Sequence, residues 1–541
     1  MTDHIRLTNV SHGHGDKLLL DDVSLTLTSG ERIALVGENG SGKSTLLRLL
    51  SGQVAPDVGT VTASGTIGYL AQTLNHPPSD TVRQVIDAAL AGIRWLEAEM
   101  RTLEAGLGSA GAAELARYGD LQTRFALHGG YDADARVGSA MQHLGLGDVT
   151  RNRPLSSLSG GEQERLALAC LLADSAAILM LDEPTNHLDD DAVTWLERRL
   201  TSHRGAVLAV SHDRDFLRTF ATDIVELDGD RRKLQRYGNG YEGYLLAKQA
   251  ERRRWEQQYQ QWLDAQEIER SKAAAVEQHM GYARVHDGDK MGYDFKQGTV
   301  QKAVTSQKRN ALERLRRLEE NPVDRPPQPL ALSARFGGRS LRGDVITVSG
   351  LRVDARLAVP SLTVAAGERL LITGPNGAGK TTLLNAIAGN GQIDAGSVRQ
   401  RGRLGYLPQE LDPPVNPSQR LLPAFADGLR GDIDELADRL LNLGLFKSAD
   451  FLVPVGGLSA GQHRRVALAR LLVGQYDVLL FDEPTNHLSP VLSGELEEAL
   501  AGSAGTLIIA SHDRALRRWF ADLGGSELRL DAGQVVRLRA A

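Results

Sequence analysis

The chain has 541 residues, 41% hydrophobic and 24% charged, with a formal net charge of −6. That is an ordinary globular composition, long enough for two to four domains, and it excludes a globally basic nucleic-acid coat. The single cysteine, Cys170, excludes an intramolecular disulfide, a cysteine-ligated zinc and an iron–sulfur cluster. No apolar run approaches the roughly 18 residues of a membrane-spanning helix, and Met1 to Val10 lacks a basic-then-apolar leader. A cytoplasmic chain is expected.

In chain order, the first telling element is a β-rich run, Arg32 to Val36, followed at once by GENGSGKST from Gly37. A GxxxxGK[ST] loop between a strand and an apolar helix surrounds phosphate oxygens with backbone N–H groups, and the helix N-terminus adds its dipole. Gly37, Asn39, Gly40, Gly42, Lys43, Ser44 and Thr45 are the candidate nucleotide contacts. Lys43 would reach the β- and γ-phosphates, and the Ser44 hydroxyl would ligate Mg2+. Gln72, which ends GYLAQ, is a candidate ligand of Mg2+ or of the attacking water. Within 90–135, Trp95 to Leu103 and Glu114 to Phe125 read as two helices around a Gly-rich 106–111. After LSGGEQ from Leu158, the strand Ala177 to Leu181 runs into Asp182 and Glu183, and Val207 to Val210 runs into Ser211, His212 and Asp213. Asp182 can hold Mg2+ through water, Glu183 can polarise a water attacking the γ-phosphate, and His212 can bond that phosphate and sense its loss.

Residues 239–325 differ in kind. Tyr241 to Met280 has no proline and is rich in Glu, Gln, Arg and Ala, which predicts a helix about 60 Å long at ~1.5 Å per residue. Gly281, Gly288, Gly292 and Gly298 mark a tip, Thr299 to Glu320 returns as a second helix, and Pro322, Pro326, Pro327 and Pro329 stop it. The expected linker is an antiparallel helical hairpin. It holds 16 basic and 14 acidic residues, and Arg284 to Arg317 alone holds 9 and 4. Lys290, Lys296, Lys302 and Lys308 recur every six residues, with Tyr282, Tyr293 and Phe295 among them. Cations neutralise phosphates and rings stack on exposed bases, so Tyr282, Arg284, Lys290, Tyr293, Phe295, Lys296 and Lys302 are candidate RNA contacts. A charged hairpin that merely spaces two domains is the alternative.

From about 326 the first half repeats. The strand Arg369 to Thr373 precedes GPNGAGKTT from Gly374, GYLPQ ends at Gln409, and LSAGQH starts at Leu458. Val478 to Phe481 runs into Asp482 and Glu483, and Leu507 to Ala510 into Ser511, His512 and Asp513. The offset is 337 as far as Gln409 and 300 afterwards, so the first copy carries a net insertion of 37 residues. Alternating strands and helices predict two α/β sheet domains, 1–238 and 326–541. The second site comprises Gly374, Asn376, Gly377, Gly379, Lys380, Thr381, Thr382, Gln409, Asp482, Glu483 and His512. Thr381, Gln409 and Asp482 are its metal ligands, as Ser44, Gln72 and Asp182 are in the first.

Five ordered motifs, present twice over about 450 residues, resemble the ATP-binding cassette superfamily. The resemblance implies that Ser159 and Gly161 complete the second domain's site, and Ser459 and Gly461 the first's. Two ATP molecules would lie between the cassettes of one monomer, as glue that hydrolysis releases. Departures exist: Ser489 stands where the first copy has Asp189, and His14 takes the place of the usual adenine-stacking aromatic, with no clear equivalent near Arg352 to Arg356. Unequal turnover at the two sites is therefore open.

Two cassettes joined by about 85 residues of hairpin, with EPTNHLD and the YEGYL stretch before Lys248, are similar to the ABC-F family. That family acts on ribosomes, sending its linker from near the tRNA exit site toward the peptidyl-transferase centre. The run from HDGDKMGYDFK to PPQPL resembles its actinomycete antibiotic-resistance branch, which relieves macrolide or lincosamide inhibition. The resemblance implies an ATPase using ATP and Mg2+. Its partner would be the 70S ribosome, with its rRNA and P-site tRNA, without membrane or zinc, and the 90–135 insertion would be an arm touching the exit-side stalk. The alternatives are a housekeeping ABC-F translation factor for stalled or idle ribosomes and the ATPase subunit of an ABC transporter.

Overall fold

A computed structural model describes residues 3–14, 17–37, 40–70, 76–106, 111–174, 176–186, 188–229, 231–280, 306, 308–326, 341–354, 356–375, 377–443, 445–458, 460–474, 476–485, 488, 490–503 and 505–539. It divides into two compact units, 1–244 with 330–440 and 445–541, and 245–329 with 441–444. Both cassettes lie in the first, apart from 441–444.

The first cassette runs β1 (His4–His14), β2 (Lys17–Thr28), β3 (Arg32–Gly37), α1 (Lys43–Leu50), β4 (Val58–Ser64), β5 (Ile67–Leu70), α2 (Val82–Ala89), α3 (Ala91–Glu104), α4 (Ala112–Leu127), α5 (Ala133–His143), α6 (Gly160–Ala173), β6 (Ile178–Asp182), α7 (Asp190–Thr201), β7 (Ala206–Val210), α8 (Arg214–Phe220), β8 (Asp223–Asp228) and β9 (Lys233–Tyr237). Apolar runs such as Ile33 to Val36 and Ile178 to Leu181 are buried along their whole length, as strands covered on both faces require. They form the middle of a six-stranded sheet of order β5-β6-β7-β3-β8-β9, parallel except at the β8–β9 edge. β2, β1 and β4 make a separate antiparallel sheet. Leu46, Leu47, Leu49 and Leu50 of α1 join the residues of both sheets in one core cluster, so α1 is held from two sides.

The predicted insertion helices are α3 and α4. They bury Ile93, Leu96 and Met100 on one and Leu121 and Phe125 on the other, while Arg94 bonds Asp87 and Asp134. The single thiol, Cys170, is buried in α6, and burial pushes its pKa up to about 12.

α9 (Gly240–Met280) is one 41-residue helix. Its first turns belong to the first cassette: the Tyr244 and Tyr237 hydroxyls both donate to Glu226. In the second unit, α9 and α10 (308–320) run antiparallel. The Trp255 indole N–H donates to Asp324 O and that of Trp262 to Leu318 O, at 2.8 and 2.9 Å, and Arg314 pairs with Glu269. The proposed tip and all seven candidate RNA contacts, from Tyr282 to Lys302, lie outside the described residues.

The second cassette runs β10 (Asp344–Val353), β11 (Leu357–Ala365), β12 (Arg369–Thr373), α11 (Lys380–Ala388), β13 (Ala395–Gln400), β14 (Leu404–Leu407), α12 (Leu421–Ala426), α13 (Ile433–Asn442), α14 (Ala460–Val473), β15 (Val478–Asp482), α15 (Pro490–Ala501), β16 (Thr506–Ala510), α16 (Arg514–Asp522), β17 (Ser526–Asp531) and β18 (Gln534–Arg539). Here a bridge from Ala358 to Gln534 joins the two sheets into one of nine strands. Among the described residues no helix is long and apolar enough to cross a membrane.

Candidate functional site

Both glycine loops turn from a central strand, β3 or β12, into a helix capped by a left-handed glycine, Gly42 (φ 108°) or Gly379 (φ 97°). Glycine is needed here for two reasons. Gly374 has φ 146°, and a Cβ on it would lie 2.2 Å from Leu530 O; one on Gly37 would lie 2.6 Å from Leu227 O. The loops therefore fold back on the strand beside them with no room for a side chain. Lys43 and Lys380 are buried and donate to loop carbonyls, Lys43 to Gly37 O at 2.8 Å and Lys380 to Gly374 O at 2.7 Å. A phosphate is the stronger acceptor for both ammonium groups. Thr45 and Thr382 follow on the same helices, half-buried.

The strand-end carboxylates meet these loops at the C-terminal edge of each sheet, where open α/β sheets bind ligands. Asp182 pairs with Val210 and Asp482 with Ala510 at the end of their ladders. Both Asp482 oxygens are buried without a hydrogen-bond partner among the described residues. Burial pushes this carboxyl up to about 6, against the pull of the nearby Thr381 hydroxyl and Lys380. The Thr381 hydroxyl lies 3.3 Å from Gln409 Oε1. An orphaned carboxylate beside hydroxyl and amide oxygens is a hard, all-oxygen donor set and fits Mg2+. No cluster of three or more His, Cys, Asp or Glu set to hold a metal exists among the described residues, so such a cation would complete its shell with phosphate and water. Asp182, likewise raised by burial, has Ser44 as its hydroxyl neighbour.

Glu183 and Glu483 follow with φ 51° and 50°, a left-handed conformation that costs a side-chain-bearing residue roughly 1 kcal/mol or more. Their backbone N–H groups donate to Val210 O and Ala510 O, which fixes the turn. In the second site Glu483 accepts from the Ser511 hydroxyl at 3.0 Å and meets His512 Nδ1 at 2.7 Å; that bond raises the His512 pKa. In the first, His212 Nε2 lies 3.4 Å from Glu183 Oε1. Burial pushes Glu183 up to about 7, opposed by Lys43. Lysine, hydroxyl, Asp, Glu and His thus converge in each cassette.

Ser159 is the N-cap of α6: its hydroxyl accepts from the Glu162 N–H, and Glu162 Oε2 accepts from the Ser159 N–H at 2.7 Å. The LSGGE run therefore contains a capping box. Gly161 and Gly461 lie in the first turns of α6 and α14. Asn39, Gln72, Asn376, Ser459 and Ser489, and the side chain of His14, lie outside the described residues. Asp189 is the N-cap of α7.

Several residues escaped the motif reading. Arg214 bonds Glu497 through both terminal nitrogens and approaches Asp513; Arg514 bonds Glu197 at 2.5 Å and approaches Asp213. The two SHDR turns thus grip opposite cassettes reciprocally, with Arg517–Asp190 and Arg518–Asp215 alongside. Asp213 and Asp513 cap α8 and α16. The second miss is Arg464, 4% exposed, which donates to Pro408 O, Gln409 O, Asp482 O and Glu483 O at 2.6–3.1 Å.

Two glycine loops, each facing a strand-end Asp-Glu pair and a histidine, define a tandem ATP-binding cassette chain. Residues 20–186 and 357–486 match the family described as ABC transporter. The chain is 46% identical, over 99% of itself and 98% of the relative, to the tylosin resistance ATP-binding protein TlrC of Streptomyces fradiae. It is 32% identical, over 95% of itself and 89% of the relative, to the energy-dependent translational throttle protein EttA of Mycobacterium tuberculosis. Among solved structures it resembles the archaeal ribosome recycling factor aABCE1, from its complex with the ribosomal stalk protein aP1. That match has TM-score 0.57 and 19% identity over 98% of this chain and 90% of the other, a likeness of fold alone. The chain belongs to the ABC-F family of the ATP-binding cassette superfamily.

Proposed function

We propose that this protein hydrolyses ATP to bind and leave the ribosome, and that it protects the ribosome from large-subunit antibiotics of the macrolide or lincosamide type. The observation that carries the reading is end-to-end similarity to a tylosin resistance protein, in a chain whose two nucleotide sites each keep lysine, Asp, Glu and His. The boundaries proposed are 1–238 and 326–541 for the cassettes and 239–325 for the linker.

In this reading Lys43 and Lys380 leave their loop carbonyls for the β- and γ-phosphates, and the loop N–H groups with Asn39 and Asn376 complete the cradle. Ser44, Gln72 and Asp182 in the first site, and Thr381, Gln409 and Asp482 in the second, would hold Mg2+, which would supply positive charge against that on the transferring phosphoryl group. Glu183 and Glu483 orient and deprotonate the attacking water. His212 and His512 bond the γ-phosphate and lose that bond on hydrolysis. Ser159 and Gly161 cover the second nucleotide, Ser459 and Gly461 the first. The linker tip, about 281–300, reaches the acceptor end of P-site tRNA through its basic and aromatic residues.

The test is co-sedimentation of the Glu183→Gln, Glu483→Gln protein with 70S ribosomes, with ATP or with ADP, followed by in vitro translation with a drug panel. ATP-dependent pelleting, and rescue of macrolide-inhibited translation by the unaltered protein, are expected. No pelleting in either nucleotide would overturn ribosome action. Similarity to a translational throttle protein favours a second reading, a translation factor for stalled or idle ribosomes. That reading predicts pelleting without rescue.

A further inference from the structure

Arg464 lies in the first turns of α14 with its side chain buried. One buried guanidinium bridges two segments, donating to Pro408 O and Gln409 O after β14 and to Asp482 O and Glu483 O at the end of β15. A buried guanidinium is costly unless its N–H groups are met; here Nη1 serves one segment and Nη2 the other. The two segments carry the candidate metal ligand Gln409 and the candidate base Glu483.

The repeat makes the first cassette a built-in comparison. The residue 300 positions earlier is Glu164, whose carboxylate has no N–H to give. The cation acting on Asp182 besides Lys43 is Arg48, on α1, and the residue 337 positions after Arg48 is Asn385, which accepts from the Tyr406 hydroxyl. The second cation beside the strand-end aspartate thus comes from α1, after the glycine loop, in one site and from α14 in the other. Arg464 also ties Gln409 to Glu483 through their backbones. Glu483 is held on its other side by Ser511 and His512.

We propose that Arg464 is a positioning residue of the second ATP site, holding Glu483 and Gln409 in register for hydrolysis and making this the faster of the two sites. The inference rests on the ATPase reading and deepens it.

The test uses full-length single-site proteins, Glu183→Gln with the second site live and Glu483→Gln with the first. Steady-state hydrolysis and binding of a fluorescent ATP analogue are measured with and without Arg464→Gln. Three results are expected: faster hydrolysis by the Glu183→Gln protein; a fall in its kcat on adding Arg464→Gln of at least about tenfold more than the fall in the Glu483→Gln protein; and KM and nucleotide affinity within about twofold. Arg464→Lys, which keeps the charge but not the fork, recovers part of the rate and serves as the readout should the Gln variant unfold. Equal falls in both backgrounds, a loss confined to nucleotide affinity, or a full rate with Lys would overturn the proposal. Absence of hydrolysis in both single-site proteins before Arg464 is touched would overturn the ATPase reading, and the inference with it.

Discussion

Replacing Arg214 with Ala should loosen the contact between the cassettes. Arg214 and Glu497 side chains are 10% and 9% exposed and share two hydrogen bonds. Deleting the arginine strands a buried carboxylate, which costs about 3–5 kcal/mol; removing both partners avoids most of that. Because ~1.4 kcal/mol is tenfold in an equilibrium, opening at this contact should become on the order of 10²–10⁴-fold more frequent in the single variant. The assay is hydrogen exchange of amides in 214–220 and 514–522, which reads local opening free energies directly, run as a double-mutant cycle with Glu497→Ala. A coupling energy of about 2–4 kcal/mol is expected, within the range measured for close interfacial charge pairs. The pseudo-symmetric pair, Arg514–Glu197, should couple less, since its arginine is 18% exposed. Additive single effects would refute the claim that this pair holds the cassettes together.

Glu183→Gln should stabilise the nucleotide-free protein in alkaline buffer. Its folded pKa is raised from 4.5 to about 7, so the native state holds the proton more tightly than the unfolded chain. That stability is complete below 4.5 and is lost as pH rises through about 7. The advantage of Gln should be on the order of 3 kcal/mol at pH 8 and about 1 near pH 5, seen as a melting-temperature gap that narrows on acidification; a pH-independent gap would contradict it. Gly374→Ala should cost at least about 1–3 kcal/mol in backbone strain and abolish nucleotide binding by the second cassette, because the new Cβ meets Leu530 O; unchanged binding of a fluorescent nucleotide to a Lys43→Ala background would count against it. Trp262→Phe removes the N–H to Leu318 O and should weaken hairpin protection by about 1 kcal/mol, measurable as faster exchange in 308–320.

The architecture was legible because it is written twice. The strand preceding each phosphate loop, the two insertion helices and the long α9 fall within a few residues of where periodicity and turn residues put them. What stayed hidden depends on partners distant in sequence. SHDR is visible as a motif, but its arginine acquires meaning only from a glutamate 283 residues away. Arg464 reads as one more arginine in an arginine-rich chain until the segments it bridges are folded beside it. The left-handed Glu183 and Glu483 carry no local signature either, because tertiary pairing of their N–H groups with β7 and β16 imposes the conformation.

Repetition also sharpens what asymmetry means here. Residues inside the motifs are nearly duplicated, so both sites hold the same reactive groups. Two differences fall at positions beside those groups, Arg48 against Asn385 and Glu164 against Arg464. A carboxylate on a buried strand end needs a cation nearby, and either helix can supply it. Moving that cation from one helix to the other keeps the charge balance while changing which backbone segments are clamped. Two sites of equal chemistry can in this way differ in preorganisation, a difference that hydrolysis rates would read and nucleotide affinity would not.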